Sequence, residues 1–146
     1  MSAAQSIAFV LWGDHFDEAA AALFITGLRK AGQRVKVVGI NGPQGRGACG
    51  LSLVADMTLS EALPLAKQAA CIIIPCNDAA LRRMGEEPQV MEFMEQVGVG
   101  IAPVVVMEGV SPYARLFQLT GNRAVITASP AAERITLFVG ELLAQL

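Results

Sequence analysis

The sequence predicts a doubly wound α/β fold, a mainly parallel sheet between two layers of helices, on three observations. Its apolar runs are short and rich in β-branched residues, and three of them are nearly continuous rather than alternating, as strands buried on both faces are. Segments with helical spacing separate those runs, which is the alternation of a parallel α/β sandwich. The 146 residues are 53% hydrophobic and only 16% charged, against about 25% charged in an ordinary soluble domain. There is apolar surface for a full core and little charge to solvate a large outside, which excludes disorder. The length predicts a single domain over 1–146, with no linker, repeat or low-complexity stretch.

In chain order, the first strand is Ile7–Trp12. A helix follows over 17–31, with acids at its start, Arg29-Lys30 in its last turn and Gly32 as its stop. Arg34–Gly39 is the second strand. Leu51-Ser-Leu-Val54 reads as a further short strand, and 58–67 as a helix opened by Thr58-Leu-Ser-Glu61, the pattern of a capping box. The third main strand is 70–75. The stretch 78–96 reads as two helices broken near Gly85-Glu-Glu-Pro88. A fourth strand at 101–107, a short helix at 111–119 opened by Ser-Pro, a fifth strand at 124–127 and a closing helix at 131–146 complete the chain.

Composition narrows the function. Eleven basic and thirteen acidic residues give a net charge of −2, without a Lys/Arg cluster, so no nucleic-acid partner is expected. The longest charge-free run, Met1 to Gly13, is thirteen residues, short of the roughly 20 that a spanning helix needs. No Lys or Arg precedes it, as a secretory signal would require. A cytoplasmic protein without membrane contact is expected, with a self-association surface. Three cysteines do not make a disulfide framework, and a single histidine leaves no His-rich metal site. No metal and no cofactor are expected.

Ligands of such folds bind beyond the carboxyl ends of the strands. That directs attention to loops 13–16, 40–50, 75–78 and 107–111. The Gly45-Arg-Gly-Ala-Cys-Gly50 run matches a dinucleotide fingerprint in letters only. It follows the second strand and leads into another strand, so a glycine-rich turn needing positive φ is the better reading. His15, between Asp14 and Phe16, follows the first strand, and Cys76, beside Asn77, follows the third. Near helix N-termini, Cys76 has the setting of a low-pKa thiol, or it is a small buried filler. Met107 ends the fourth strand and Glu108 follows it directly, as a base, a ligand contact or the cap of the helix near Ser111. Cys71 reads as core, Cys49 as structural or incidental, and Trp12 and Tyr113 as packing.

Several phrases, in order, then resemble one family. Ala8-Phe-Val-Leu-Trp-Gly-Asp-His-Phe-Asp-Glu18, Leu28-Arg-Lys-Ala-Gly32 and Val35-Lys-Val-Val-Gly39 come first. Gly47-Ala-Cys-Gly50 with Val54, Asp56, Leu59 and Glu61, then Ala70-Cys-Ile-Ile-Ile-Pro-Cys-Asn77, then Ile126-Thr-Ala-Ser-Pro130 with Phe138, follow. Together they resemble the ThiJ/PfpI superfamily, the group of the parkinsonism-associated protein deglycase and the intracellular proteases, related to class I glutamine amidotransferase domains. The resemblance implies a three-layer α/β/α sandwich, flavodoxin-like or class I glutamine amidotransferase-like, and it covers nearly the whole chain.

The same resemblance implies that the catalytic parts are altered. The position of the family's cysteine nucleophile falls on Val105 or Met107, neither of which attacks a carbonyl. The family's glutamate on the first helix falls on Ala20, with Asp17 and Glu18 close by. Its oxyanion glycine pair is replaced by Cys76-Asn77, the histidine after the nucleophile has no counterpart, and the part beyond Tyr113 is short. The expectation is a degenerate, non-catalytic protein. It would bind a small molecule or protein partner through Asp14, His15, Cys76, Asn77, Met107 and Glu108, as a homodimer. The alternative is a thiol enzyme or redox sensor (deglycase-, glyoxalase- or amidohydrolase-like) with Cys76 as nucleophile and His15 as its partner. A third reading is a subunit of a larger complex.

Overall fold

The computed structural model describes residues 7–97, 102–108 and 125–146. The elements follow the apolar pattern closely. Strand β1 (Ile7–Trp12) is followed by α1 (Glu18–Lys30) and β2 (Arg34–Gly39). A hairpin of β3 (Gln44–Arg46) and β4 (Ser52–Val54) comes next, then β5 (Met57–Thr58), α2 (Leu59–Ala62) and a 3₁₀ turn over Leu63–Gln68. Strand β6 (Ala69–Ile74), α3 (Asp78–Met84), α4 (Pro88–Val97), β7 (Val104–Met107), β8 (Val125–Ala128) and α5 (Ala132–Gln145) complete the described chain.

The main sheet has the order β5-β2-β1-β6-β7-β8, and every pairing in it is parallel. All of β1 and β7 is buried, which is why their sequences do not alternate. The hairpin forms a separate antiparallel pair, Gln44 facing Val54 and Arg46 facing Ser52. Helices α1 and α5 pack on each other through Phe24 and Phe138, edge to face at 6.0 Å. Phe93 of α4 meets Phe9 of β1 in the same geometry at 5.2 Å. Each such pair adds about 0.5–1.5 kcal/mol beyond the area it buries.

The differences from the expected elements have local causes. The helix expected over 58–67 opens at the capping box, with Thr58 and Glu61 bonded reciprocally, but gives way to a 3₁₀ turn at Leu63-Pro64. Proline supplies no N–H to continue the α-helical ladder. Two-residue β5 is too short to leave a pattern. Its place is set by Asp56 instead, whose carboxylate accepts the Val37 N–H at 2.8 Å and pairs with Arg29 at 2.8 Å. The break between α3 and α4 falls at Gly85–Glu87 as expected. The helix expected at 111–119, Tyr113 and the first residue of the strand expected from Ile101 lie outside the described residues. Among the described residues no helix is long and apolar enough to cross a membrane.

The sheet order reverses at the centre. From β1 the chain winds outward to β2 and β5, and from β6 it winds the other way to β7 and β8. The carboxyl ends of β1 and β6 therefore border the crevice where such sheets hold ligands.

Candidate functional site

The crevice is closed at its base by backbone. The Asp17 N–H donates to the Pro75 carbonyl at 2.8 Å, and Phe16 and Cys76 form an isolated antiparallel bridge. This joins the loop after β1 to the loop after β6. Asp17 then caps α1, its Oδ1 accepting the Ala20 N–H at 3.0 Å, and Asn77 caps α3 in the same way through Ala80 at 2.9 Å. The paired, capped helix starts hold one wall rigid.

The hairpin supplies the opposite wall. It lies over Trp12 and Phe16, whose rings stack with centroids 4.4 Å apart. A side chain at Gly45 would meet both rings at 3.2–3.3 Å, a tight contact that the glycine avoids where the strand lies close. His15 adopts a left-handed backbone, φ 65°, rare for a residue with a side chain. Its N–H donates to the Arg46 carbonyl at 2.7 Å, and Asp14 Oδ1 accepts the Arg46 N–H at 3.4 Å.

Glu18 fastens this wall. It is the first residue of α1, buried, with its carboxylate under the turn between β3 and β4. The Cys49 N–H donates to Oε1 at 2.9 Å and to Oε2 at 3.0 Å, and the Leu51 N–H donates to Oε2 at 3.1 Å. The Ala48 N–H donates to the Phe16 carbonyl at 2.9 Å. The Cys49 amide, foremost, and then that of Leu51 hold the Glu18 carboxyl below the usual glutamate range, although desolvation opposes them. Any Cβ at Gly47 would collide with the Glu18 carboxyl carbon. The glycine-rich run is thus a cradle for a side chain of this same protein. Of its glycines only Gly50, φ 91°, needs positive φ; Gly45 and Gly47 are set by close approach.

Between the walls lies a cavity of about 310 Å³, lined by His15, Asp17, Glu18, Ala48, Cys49, Cys76, Asn77, Met107, Glu108 and Pro130. Five of the six residues expected at a site from sequence, His15, Cys76, Asn77, Met107 and Glu108, meet here. Asp14 does not. It faces a smaller cavity of about 90 Å³ with Asn41, Arg83 and Glu87. The sequence reading missed Glu18 and Cys49. The carboxylate that α1 sends under the turn is not at the position given by an ungapped match, because Ala20 is fully buried while Glu18, two residues earlier, reaches the turn. The Gly47-Ala-Cys-Gly50 phrase was the available signal, since a turn of small residues exposes backbone N–H groups that call for an anion. Among the described residues no three His, Cys, Asp or Glu side chains are grouped as a metal would need.

The thiols divide sharply. Cys71 is core, as expected, and burial pushes it up to about 12. Cys76 is 1% exposed, and burial pushes it up to about 11 against smaller opposing effects of the Gly13 amide and Arg83. The low-pKa thiolate of the alternative reading is therefore not favoured: desolvation outweighs the neighbouring amide and cation. The Cys76 N–H is also occupied, donating to the Ile74 carbonyl at 2.9 Å. Cys49, read as structural or incidental, is exposed at the cavity rim. At pH 8 a thiol near 11 is about one part in a thousand thiolate. A disulfide reagent is expected to titrate one cysteine, Cys49, in the folded protein and all three after denaturation. Rapid labelling of Cys76 in the native state would contradict this.

No family model and no curated protein matches the chain. Solved structures do. Drosophila melanogaster DJ-1beta superposes with a TM-score of 0.73 at 17% identity, over 97% of this chain and 90% of its own. Schizosaccharomyces pombe DJ-1 gives 0.71 at 14%, over 95% and 90%. A two-domain protein from Anabaena variabilis, with DJ-1/ThiJ/PfpI-like and ferritin-like domains, gives 0.73 at 19%, over 97% of this chain and 48% of that one. The α/β sandwich implied by the resemblance is thus confirmed, and the chain has the DJ-1/ThiJ/PfpI fold.

Proposed function

We propose that this chain is a degenerate member of the DJ-1/ThiJ/PfpI superfamily, cytoplasmic, which binds a small molecule in the cavity between the hairpin and the ends of β6 and β7 without turning it over. The observation that carries this is the chemistry of the strand ends. Met107, a thioether without nucleophilic use, stands in the cavity wall at the end of β7, and the one thiol at the end of β6 is buried and protonated. The cavity itself is intact, with both walls hydrogen-bonded and its size at the lower end of the roughly 300–1,000 Å³ of small-molecule sites. The chain works as a homodimer in this reading. Leu51 and Val54, 57% and 70% exposed on the hairpin, support an apolar contact there.

Purified protein tests each part. Calorimetry against a metabolite panel is expected to find a ligand whose binding is lost on filling the cavity, as with Ala48→Trp. No turnover of methylglyoxal or of glutamine, amide and peptide substrates is expected, and ordinary enzymatic rates with any of them overturn the non-catalytic reading. Light scattering is expected to give a dimer that Val54→Glu dissociates. A monomeric wild type removes that part alone.

A further inference from the structure

We infer that the ligand of this cavity is a small organic cation, an ammonium group on an apolar stem, held by Glu108. The inference rests on the binding reading above and adds its chemistry. Among the described residues the lining has three carboxyl side chains, Asp17, Glu18 and Glu108, with His15 and no lysine or arginine. Two of the three are already engaged: Asp17 caps α1, and both oxygens of Glu18 accept loop N–H groups. Glu108 differs. Its N–H is fixed to the Ala128 carbonyl at 2.8 Å, so its backbone extends the sheet, while its side chain is exposed at the cavity and its carboxylate has no partner among the described residues.

An anion is disfavoured for a structural reason. Cavities at sheet ends usually bind anions through helix N-termini, where free N–H groups and the helix dipole point at the ligand. Here Asp17 fills the start of α1, with Glu18 in its first turn, and Asn77 fills that of α3, with Asp78 in its first turn. A carboxylate or phosphate would meet used donors and a wall of its own sign. A cation meets the reverse. Beside Asn77 and Cys49, the rest of the described lining (Ala48, Cys76, Met107 and Pro130) is apolar, and the Met107 thioether is polarizable and adaptable against a hydrocarbon stem.

The test uses three probes with one stem: phenethylammonium, 3-phenylpropionate and 3-phenylpropan-1-ol, titrated calorimetrically into the full chain at low salt. The ammonium is expected to bind at millimolar concentration or better, and to bind more tightly than either other probe. Glu108→Gln is expected to weaken it roughly two- to fivefold, as loss of one exposed charge pair does, and to leave the alcohol unchanged. Glu108→Lys should turn the preference toward the carboxylate, a gain that misfolding does not produce. Equal or tighter binding of the alcohol or carboxylate to the wild type overturns the cation inference and leaves the binding reading standing. If none of the three binds, the inference is also overturned, and the metabolite panel decides the binding reading separately.

Discussion

Gly47→Ala is expected to detach the turn between β3 and β4 from the start of α1 and to abolish binding in the cavity. The added methyl would have to occupy the volume of the Glu18 carboxyl group. Neither neighbour yields easily. Glu18 is the first residue of α1, next to a capped Asp17, and its oxygens are held by the Cys49 and Leu51 amides. The turn is held in addition by the Ala48 N–H on the Phe16 carbonyl and by the Gly47 N–H on the Leu51 carbonyl, both within 2.9 Å. Overpacking at a fixed site costs about 1–3 kcal/mol. The cost should be read as a lower denaturation midpoint with an unchanged slope. Hydrogen exchange at Cys49 and Leu51 should quicken about tenfold or more, because these amides would then open without global unfolding. Gly140→Ala is the control. A methyl there meets nothing within 4 Å on the exposed side of α5, and removing a mid-helix glycine should stabilise by up to about 1 kcal/mol. If Gly47→Ala is as stable as the wild type and still binds, the turn is not a built wall.

Much of this was legible in the sequence because the fold is written in runs. Continuous apolar stretches such as Ile7–Trp12 gave the parallel strands, and the capping box at Thr58 gave a helix start that the hydrogen bonds bear out, whereas the caps at Asp17 and Asn77 emerge only in the structure. The loops at the strand ends followed from topology, which is why His15, Cys76, Asn77, Met107 and Glu108 were found together. What was not legible depends on direction and environment. Asp14 and His15 are adjacent, but the left-handed backbone at His15 sends them to different cavities. Cys76 sits beside a helix start, the setting of a reactive thiol, yet the bridge to Phe16 buries it, and burial decides its protonation. Glu18 reads as an ordinary first-turn acid with a dipole role. Only the return of residues 47–51 over α1 makes it the anchor of a wall, and that contact lies 31 residues away in sequence for Cys49.

Glu18→Ala gives the second large effect, and its combination with Gly47→Ala separates two explanations. Alone, Glu18→Ala leaves the Cys49 and Leu51 amides without their acceptor inside a partly closed turn, which is costlier than never having made the bonds. Loss of ligand binding and faster exchange at those two amides are expected, whereas Glu18→Gln, which keeps one acceptor oxygen, should fall between. The pH dependence has a fixed sign. The folded state holds the Glu18 carboxyl below its ordinary range, so its contribution is fully present above the ordinary glutamate pKa and is lost only as pH falls through the lower, folded value. Loop protection should thus survive mild acid in the wild type and show less acid dependence in Glu18→Gln. In the double variant the collision partner is gone, so the methyl at Gly47 enters space that the carboxylate has left. Residues in contact are not additive. The double variant should lose clearly less stability than the sum of the two single variants. Strict additivity would mean that Gly47 and Glu18 act independently, and the carboxylate would then not be what holds the turn.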